Sequence, residues 1–211
     1  MSRRGLLLLV LLALLHLDGG PAGPASPTRA GSEPASAPLI GATSERFTAA
    51  ERRWLGEALR AAARESGVAP RRVAAVAEAI AQANPLLRPS EVARIARAVA
   101  VCATRYGLEP ELVAAVILVE SHARPGARSP KGALGLMQVM PFMFEALRPA
   151  GSPTHIETNI EVGCLILATN IRRLGLEDGV SAYFWGSRIG GDGYLRKVLA
   201  ARARVRDRIS S

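Results

Sequence analysis

Metal-centred chemistry has little to work with in this chain. Of 211 residues only Cys102 and Cys164 are cysteine, and only His16, His122 and His155 are histidine. The thiols do not stand at a zinc-ligand spacing and the histidines do not cluster around them, so no metal site is expected. Aromatic residues make up only 4% of the chain, and its arginines are interleaved with alanines rather than blocked into a basic arm with aromatic neighbours. That pattern argues against nucleic acid as the partner. No apolar run is long enough to span a bilayer, which takes roughly 20 residues. Nor is there a series of alternating strand patterns, and the fold class read from the chain is all-α.

What is present begins with export. Met1-Ser2-Arg3-Arg4 followed by a leucine-dominated run from Gly5 to Leu17 has the charged and apolar regions of a secretory signal peptide. Small residues at Gly23-Pro24-Ala25-Ser26 put cleavage near Ala25, giving a signal over 1–25 and a Gly, Pro, Ala and Ser-rich flexible leader over 26–45. The expected product is periplasmic or otherwise extracytoplasmic. Its formal charge of +9 suits acidic cell-surface polymers, or else a solvated basic face with no partner. Export also permits a disulfide, and Cys102 and Cys164 are read either as one bridge or as two buried thiols.

From Ser44 onward the apolar residues recur at helical spacing. Thr48-Ala49-Ala50-Glu51 has the form of a capping box, and the helix it opens ends at Ser66-Gly67. A second helix is expected from Pro70 to Asn84-Pro85, and a third with Ser90 as its N-cap and Gly107 as its terminator. A fourth begins at Pro110 and is apolar on every side through Val119, so it must be buried all round. Later helices are expected over Pro141 to Leu147, Asn159 to Leu174, Val180 to Trp185, and Gly193 to Val205.

The fourth helix delivers a carboxyl group, Glu120, at its end. Burial and the negative end of the helix dipole both disfavour the ionised form, and a glutamic acid that keeps its proton near neutral pH can serve as a general acid. The bland alternative is that Glu120 turns to solvent where the helix stops. Close behind it comes Ala127-x-Ser129-x-x-Gly132-Ala133-x-Gly135-Leu136-Met137-Gln138. Met137 offers a polarizable apolar contact and Gln138 a paired donor and acceptor suited to sugars. Equally, Met137 suits a core, and Ser121 and Ser129 suit local backbone hydrogen bonds.

Glu120-Ser121 and Gly135-Leu136-Met137-Gln138, with Asn159-Ile160-x-x-Gly163, Ala182-Tyr183, Tyr194 and Lys197-Val198 in order, resemble the soluble-type (SLT) lytic transglycosylases of the lysozyme-like superfamily. The resemblance covers residues 90 to 200. It implies a lysozyme-like helical catalytic domain over 89–205; the helical extension over 46–88 lies outside the resemblance and is either a brace or a docking surface. It implies that Glu120 is the catalytic residue, and that Ser121, Ser129, Met137, Gln138 and Tyr183 bind peptidoglycan glycan strands. Tyr183 has a structural role as its alternative. In that family one carboxyl acts as acid and then as base on the bond between N-acetylmuramic acid and N-acetylglucosamine, leaving a 1,6-anhydro end, and no cofactor takes part. A goose-lysozyme-like hydrolase and a non-catalytic wall-binding protein are the alternatives. The chain departs from the family where Ala-Tyr-Asn is replaced by Ala182-Tyr183-Phe184, and where Trp185-Gly186-Ser187 lacks the usual Gly-Pro.

Overall fold

The computed structural model describes residues 46–210; the expected signal peptide and leader over 1–45 lie outside them. Among the described residues the regular elements are eight helices: α1 Ala49–Ser66, α2 Pro70–Ala83, α3 Pro89–Tyr106, α4 Pro110–Ser121, α5 Pro141–Leu147, α6 Ile156–Leu174, α7 Leu176–Trp185 and α8 Gly193–Ser210. The fold is all-α, in keeping with the expectation. No described helix is long and apolar enough to cross a membrane.

The capping box that opens α1 is formed in both directions: Glu51 N–H donates to Thr48 Oγ1 at 3.2 Å, and Thr48 N–H donates to Glu51 Oε2 at 2.8 Å. The expected N-cap of α3 is corrected. The helix starts before Ser90, with Arg88 as N-cap and Pro89 in the first turn. Proline's fixed φ suits that position, and Arg88 N–H finds its acceptor in Glu91 Oε2 at 3.0 Å, so no serine hydroxyl is needed. Three other limits also shift. Ile156 and Ile160 are both buried, which carries the apolar face of α6 back before Asn159. Glu177 and Asp178 lie in the first turn of α7, where carboxylates favour the positive end of the helix dipole, so α7 opens before Val180. α8 continues past Val205 to Ser210.

α4 is the axis of the fold, with α2, α3 and α8 packed around it. Leu112 through Ile117 are all buried, which is the burial on all sides that its composition demands. Its first turn also carries Glu111, a carboxylate with 1% exposure. Burial pushes the pKa of Glu111 up, but the hydrogen bonds and charge of Arg72 on α2, with help from the backbone, leave it below the ordinary value. Arg72 Nε donates to Glu111 Oε1 at 2.6 Å. This ion pair ties α2 to α4.

Cys102 on α3 and Cys164 on α6 form a disulfide, which settles the alternative left open by the sequence. α1 and α2 pack on α3, and α2 also packs on α4 and α8. Their apolar residues, among them Ala62, Val73, Val76 and Ile80, belong to the same buried cluster as the core of the later helices. Residues 46–88 therefore share one core with the helices that follow them.

Candidate active site

α4 ends at Ser121, and the chain then takes two consecutive left-handed residues, His122 at φ 51° and Ala123 at φ 56°. Non-glycine residues rarely adopt this conformation, and each such position must be held by its surroundings. Ala123 is wholly buried, and its carbonyl accepts a hydrogen bond from Asn84 Nδ2 at 2.9 Å. The Asn84 loop is in turn gathered by Arg46, whose Nη1 donates to the Ala81 carbonyl at 2.9 Å. The helices before the resemblance therefore help to fix the backbone immediately after Glu120.

Residues 127 to 139 form a compact curl below the end of α4. Leu134 and Val139 exchange backbone hydrogen bonds at 3.0 Å each, and Gly135 N–H donates to the Ala127 carbonyl at 2.8 Å. Gly135 has φ +75°, and a Cβ there would lie 2.4 Å from Asn159 Nδ2. No other residue type fits both conditions. Asn159, with 0% exposure, pins the curl from α6. Its Nδ2 donates to the carbonyls of Leu134 at 2.9 Å and Pro153 at 2.8 Å, and its Oδ1 accepts from Met137 N–H at 2.8 Å.

The predicted site residues are brought to one end of α4, but several of them are buried or bonded to the backbone there. Ser121 has 0% exposure; its hydroxyl donates to the Leu136 carbonyl at 2.8 Å and so joins α4 to the curl. Met137 is also at 0% and packs against Gly163, where a Cβ would come within 2.5 Å of its sulfur. Ser129 Oγ accepts from Ala133 N–H at 3.0 Å. Gln138, half-buried and at φ 48°, donates from Nε2 to the carbonyls of Gly135 at 2.9 Å and Ala127 at 3.2 Å. Tyr183 on α7 donates its hydroxyl proton to the Met137 carbonyl at 2.8 Å. Local backbone bonding thus occupies the polar groups of Ser121, Ser129 and Tyr183 in this conformation.

Glu120 stands where these elements meet. As a residue it keeps intermediate exposure, yet protein surrounds its carboxyl, and burial pushes the pKa up to about 7. One hydrogen bond works the other way: Tyr194, in the first turn of α8, donates its hydroxyl to Glu120 Oε1 at 2.7 Å. Burial raises the pKa of both Tyr183 and Tyr194, and the charge of Glu120 raises them further, so both phenols remain neutral donors at ordinary pH. An acid with a pKa near 7 beside a fixed neutral donor can release a proton and then hold the resulting charge.

Tyr194 carries a part the sequence reading did not assign to it, although it lay within the resemblance. The available signal was its place at the head of a buried series, Tyr194, Val198, Ala201 and Val205, which turns the phenol inward toward α4. Asn84 and Asn159 gave weaker signals. Asn84 read as a helix stop, and the carbonyls that Asn159 binds lie in other elements.

Residues 97–196 match the family model described as the transglycosylase SLT domain. A protein of Enterobacteria phage PRD1 named "Transglycosylase" is 38% identical over 86 residues, which make up 39% of this chain and 31% of the phage protein. The chain therefore spans about a third of that relative's length. The matched segment runs from within α3 into α8 and contains Glu120, the 127–139 curl, Asn159, Tyr183 and Tyr194, so the candidate site lies wholly inside the part of the chain that is similar to the transglycosylase SLT domain.

Proposed function

We propose that the protein is an exported peptidoglycan lytic transglycosylase that uses Glu120 as acid and then as base. The observation that carries this reading is a single buried carboxyl at the end of α4, with a pKa of about 7 and the Tyr194 hydroxyl on one oxygen. Among the described residues the hydrogen bond to its carboxyl comes from a neutral phenol rather than from a second acid, whereas ordinary glycosidases use a pair of carboxyls. A lone acid suits a reaction in which the substrate supplies the nucleophile.

In the first step Glu120 gives its proton to the oxygen of the β-1,4 bond between N-acetylmuramic acid and N-acetylglucosamine. The bond from muramic C1 to that oxygen breaks, and the N-acetylglucosamine end leaves as an alcohol. The acetamido oxygen of the muramic sugar steadies the cation at C1, and the Tyr194 hydroxyl steadies the new carboxylate by a charge-assisted hydrogen bond. In the second step the carboxylate takes the proton of the muramic C6 hydroxyl while that oxygen bonds to C1. The product is a 1,6-anhydro sugar, and Glu120 is protonated again. Ser121 and Met137 hold the curl beside Glu120, and Gln138, Ser129 and Tyr183 bind the sugars by exchanging their backbone hydrogen bonds for bonds to the glycan. A pKa near the working pH suits both steps, because neither protonation state is costly to reach.

The test is mass spectrometry of the soluble products released from purified sacculi by the protein and by its Glu120→Gln variant. Release of 1,6-anhydromuropeptides by the unmutated protein alone is the expected result. Products ending in reducing muramic acid would replace this reading with a hydrolase, and sacculus binding without any product would replace it with a non-catalytic binder.

A further inference from the structure

Phe184, one of the positions at which this chain departs from the resembled family, lies next to the proton-transfer group through one intermediary. Its ring is stacked on that of Tyr194, with centroids 4.8 Å apart and planes 14° from parallel. Trp185 meets the Phe184 ring edge-on at 5.1 Å and 87°. Trp185 is held in turn: its Nε1–H donates to the Gly191 carbonyl at 3.2 Å, and Gly190 lies so close to the indole that a Cβ there would stand 3.0 Å from it. The result is a row of three rings running from the 186–192 loop to the phenol that donates to Glu120. Offset stacking and edge-on contacts restrict ring orientation beyond what burial alone imposes.

We propose that Phe184 is a positioning residue, which by stacking on Tyr194 keeps the phenol hydroxyl directed at the Glu120 carboxyl. The proposal rests on the reading of Glu120 as the proton-transfer group. A tyrosine ring free to turn about its side-chain torsions carries its hydroxyl out of hydrogen-bond range after a modest rotation. An asparagine at 184, as in the resembled family, has no ring face to offer. Here an aromatic brace stands in place of the polar contact.

Two titratable side chains act together with Glu120, Tyr183 from α7 and Tyr194 from α8. Among the described residues, α2 and α3 contribute no ionisable group to its shift. The Tyr194 hydrogen bond lowers the Glu120 pKa and burial raises it, so loosening the bond and admitting water have opposite consequences. That difference makes the proposal decidable without substrate.

The experiment is a carbon-13 NMR pH titration of the Glu120 carboxyl in the whole protein, assigned by its loss in Glu120→Gln. Tyr194→Phe is expected to raise the midpoint. Phe184→Leu should raise it by at least half as much, Phe184→Met should do the same, and Phe184→Tyr, which keeps the ring, should leave it in place. In the Tyr194→Phe background Phe184→Leu should have no further effect. A midpoint that falls or stays put in both Phe184→Leu and Phe184→Met, or a shift that persists without the Tyr194 hydroxyl, overturns the proposal. Since no glycan is present, a failed sacculus assay would count against the proposed reaction without touching this result.

Discussion

A carboxyl that burial keeps protonated weakens the fold once the solution forces it to ionise, and replacing Glu120 tests this directly. In the unfolded chain the group has its ordinary pKa of 4.5, and in the folded protein about 7. Below 4.5 both states hold the proton and the carboxyl makes no difference to stability. As pH rises from there the unfolded chain releases its proton while the folded protein still keeps it, so stability falls. Above about 7 both have released it, and the loss is constant. A difference of about 2.5 pH units corresponds to roughly 3 kcal/mol.

Glu120→Gln has no proton to lose. Relative to the unmutated protein it should therefore gain roughly 3 kcal/mol between about pH 4 and about pH 8.5, with the gain accumulating between the two midpoints. The glutamine oxygen still accepts from Tyr194, and any fixed penalty for its buried amide is the same at both pH values and cancels in the difference. The assay is urea unfolding followed by circular dichroism across that range, with the disulfide intact and linear extrapolation to water. A stability difference between the two proteins that does not change with pH would falsify the account of Glu120 as a carboxyl shifted by burial. A variant that becomes relatively less stable as pH rises would reverse the sign of the shift.

Asn159→Ala should cost roughly 2–4 kcal/mol in the same urea assay, since it leaves the carbonyls of Leu134 and Pro153 and the N–H of Met137 without their buried partner. A loss below about 1 kcal/mol would mean that the curl holds itself without α6. Reduction of Cys102–Cys164, which are separated by 62 positions, should lower stability by up to about 4 kcal/mol through the freedom returned to the unfolded chain. An unchanged urea midpoint after thiol capping would show that the bridge adds nothing.

Much of this architecture was legible from local chemistry. Thr48 with Glu51, the prolines at 70, 110 and 141 and the glycines at 67 and 107 mark helix limits by rules that operate within one turn. Where these signals competed, the reading failed. Ser90 is a good cap by residue type, but Pro89 and Glu91 together open α3 two residues earlier. Val180 to Trp185 was recognised by its apolar pattern, yet its first turn is polar because Glu177 and Asp178 favour that end. The sequence also placed Glu120 at the end of a buried helix, and from that followed the direction of its pKa shift. Its partners were not readable in the same way. Tyr194 lies 74 positions away, Asn84 reaches across from the preceding helices, and a hydrogen bond between distant elements leaves no periodic trace in either one.

The site also explains why an enzyme of this proposed kind would keep both an aromatic donor and an all-apolar helix. Burial alone would hold the Glu120 proton so firmly that the carboxylate needed in the second step would be unfavourable. A charged partner such as arginine would release the proton too early, as Arg72 does to Glu111 at the other end of the same helix, where the net shift is downward. A neutral hydroxyl lies between these extremes: it stabilises the anion by a hydrogen bond without carrying a charge of its own. α4 thus holds two buried glutamates with opposite shifts, Glu111 kept ionised by a guanidinium to fasten α2 and Glu120 left protonated beside a phenol. The second arrangement works only while the phenol stays where α8 and Phe184 put it. On this argument the packing of the 183–194 segment belongs to the chemistry as much as the carboxyl does.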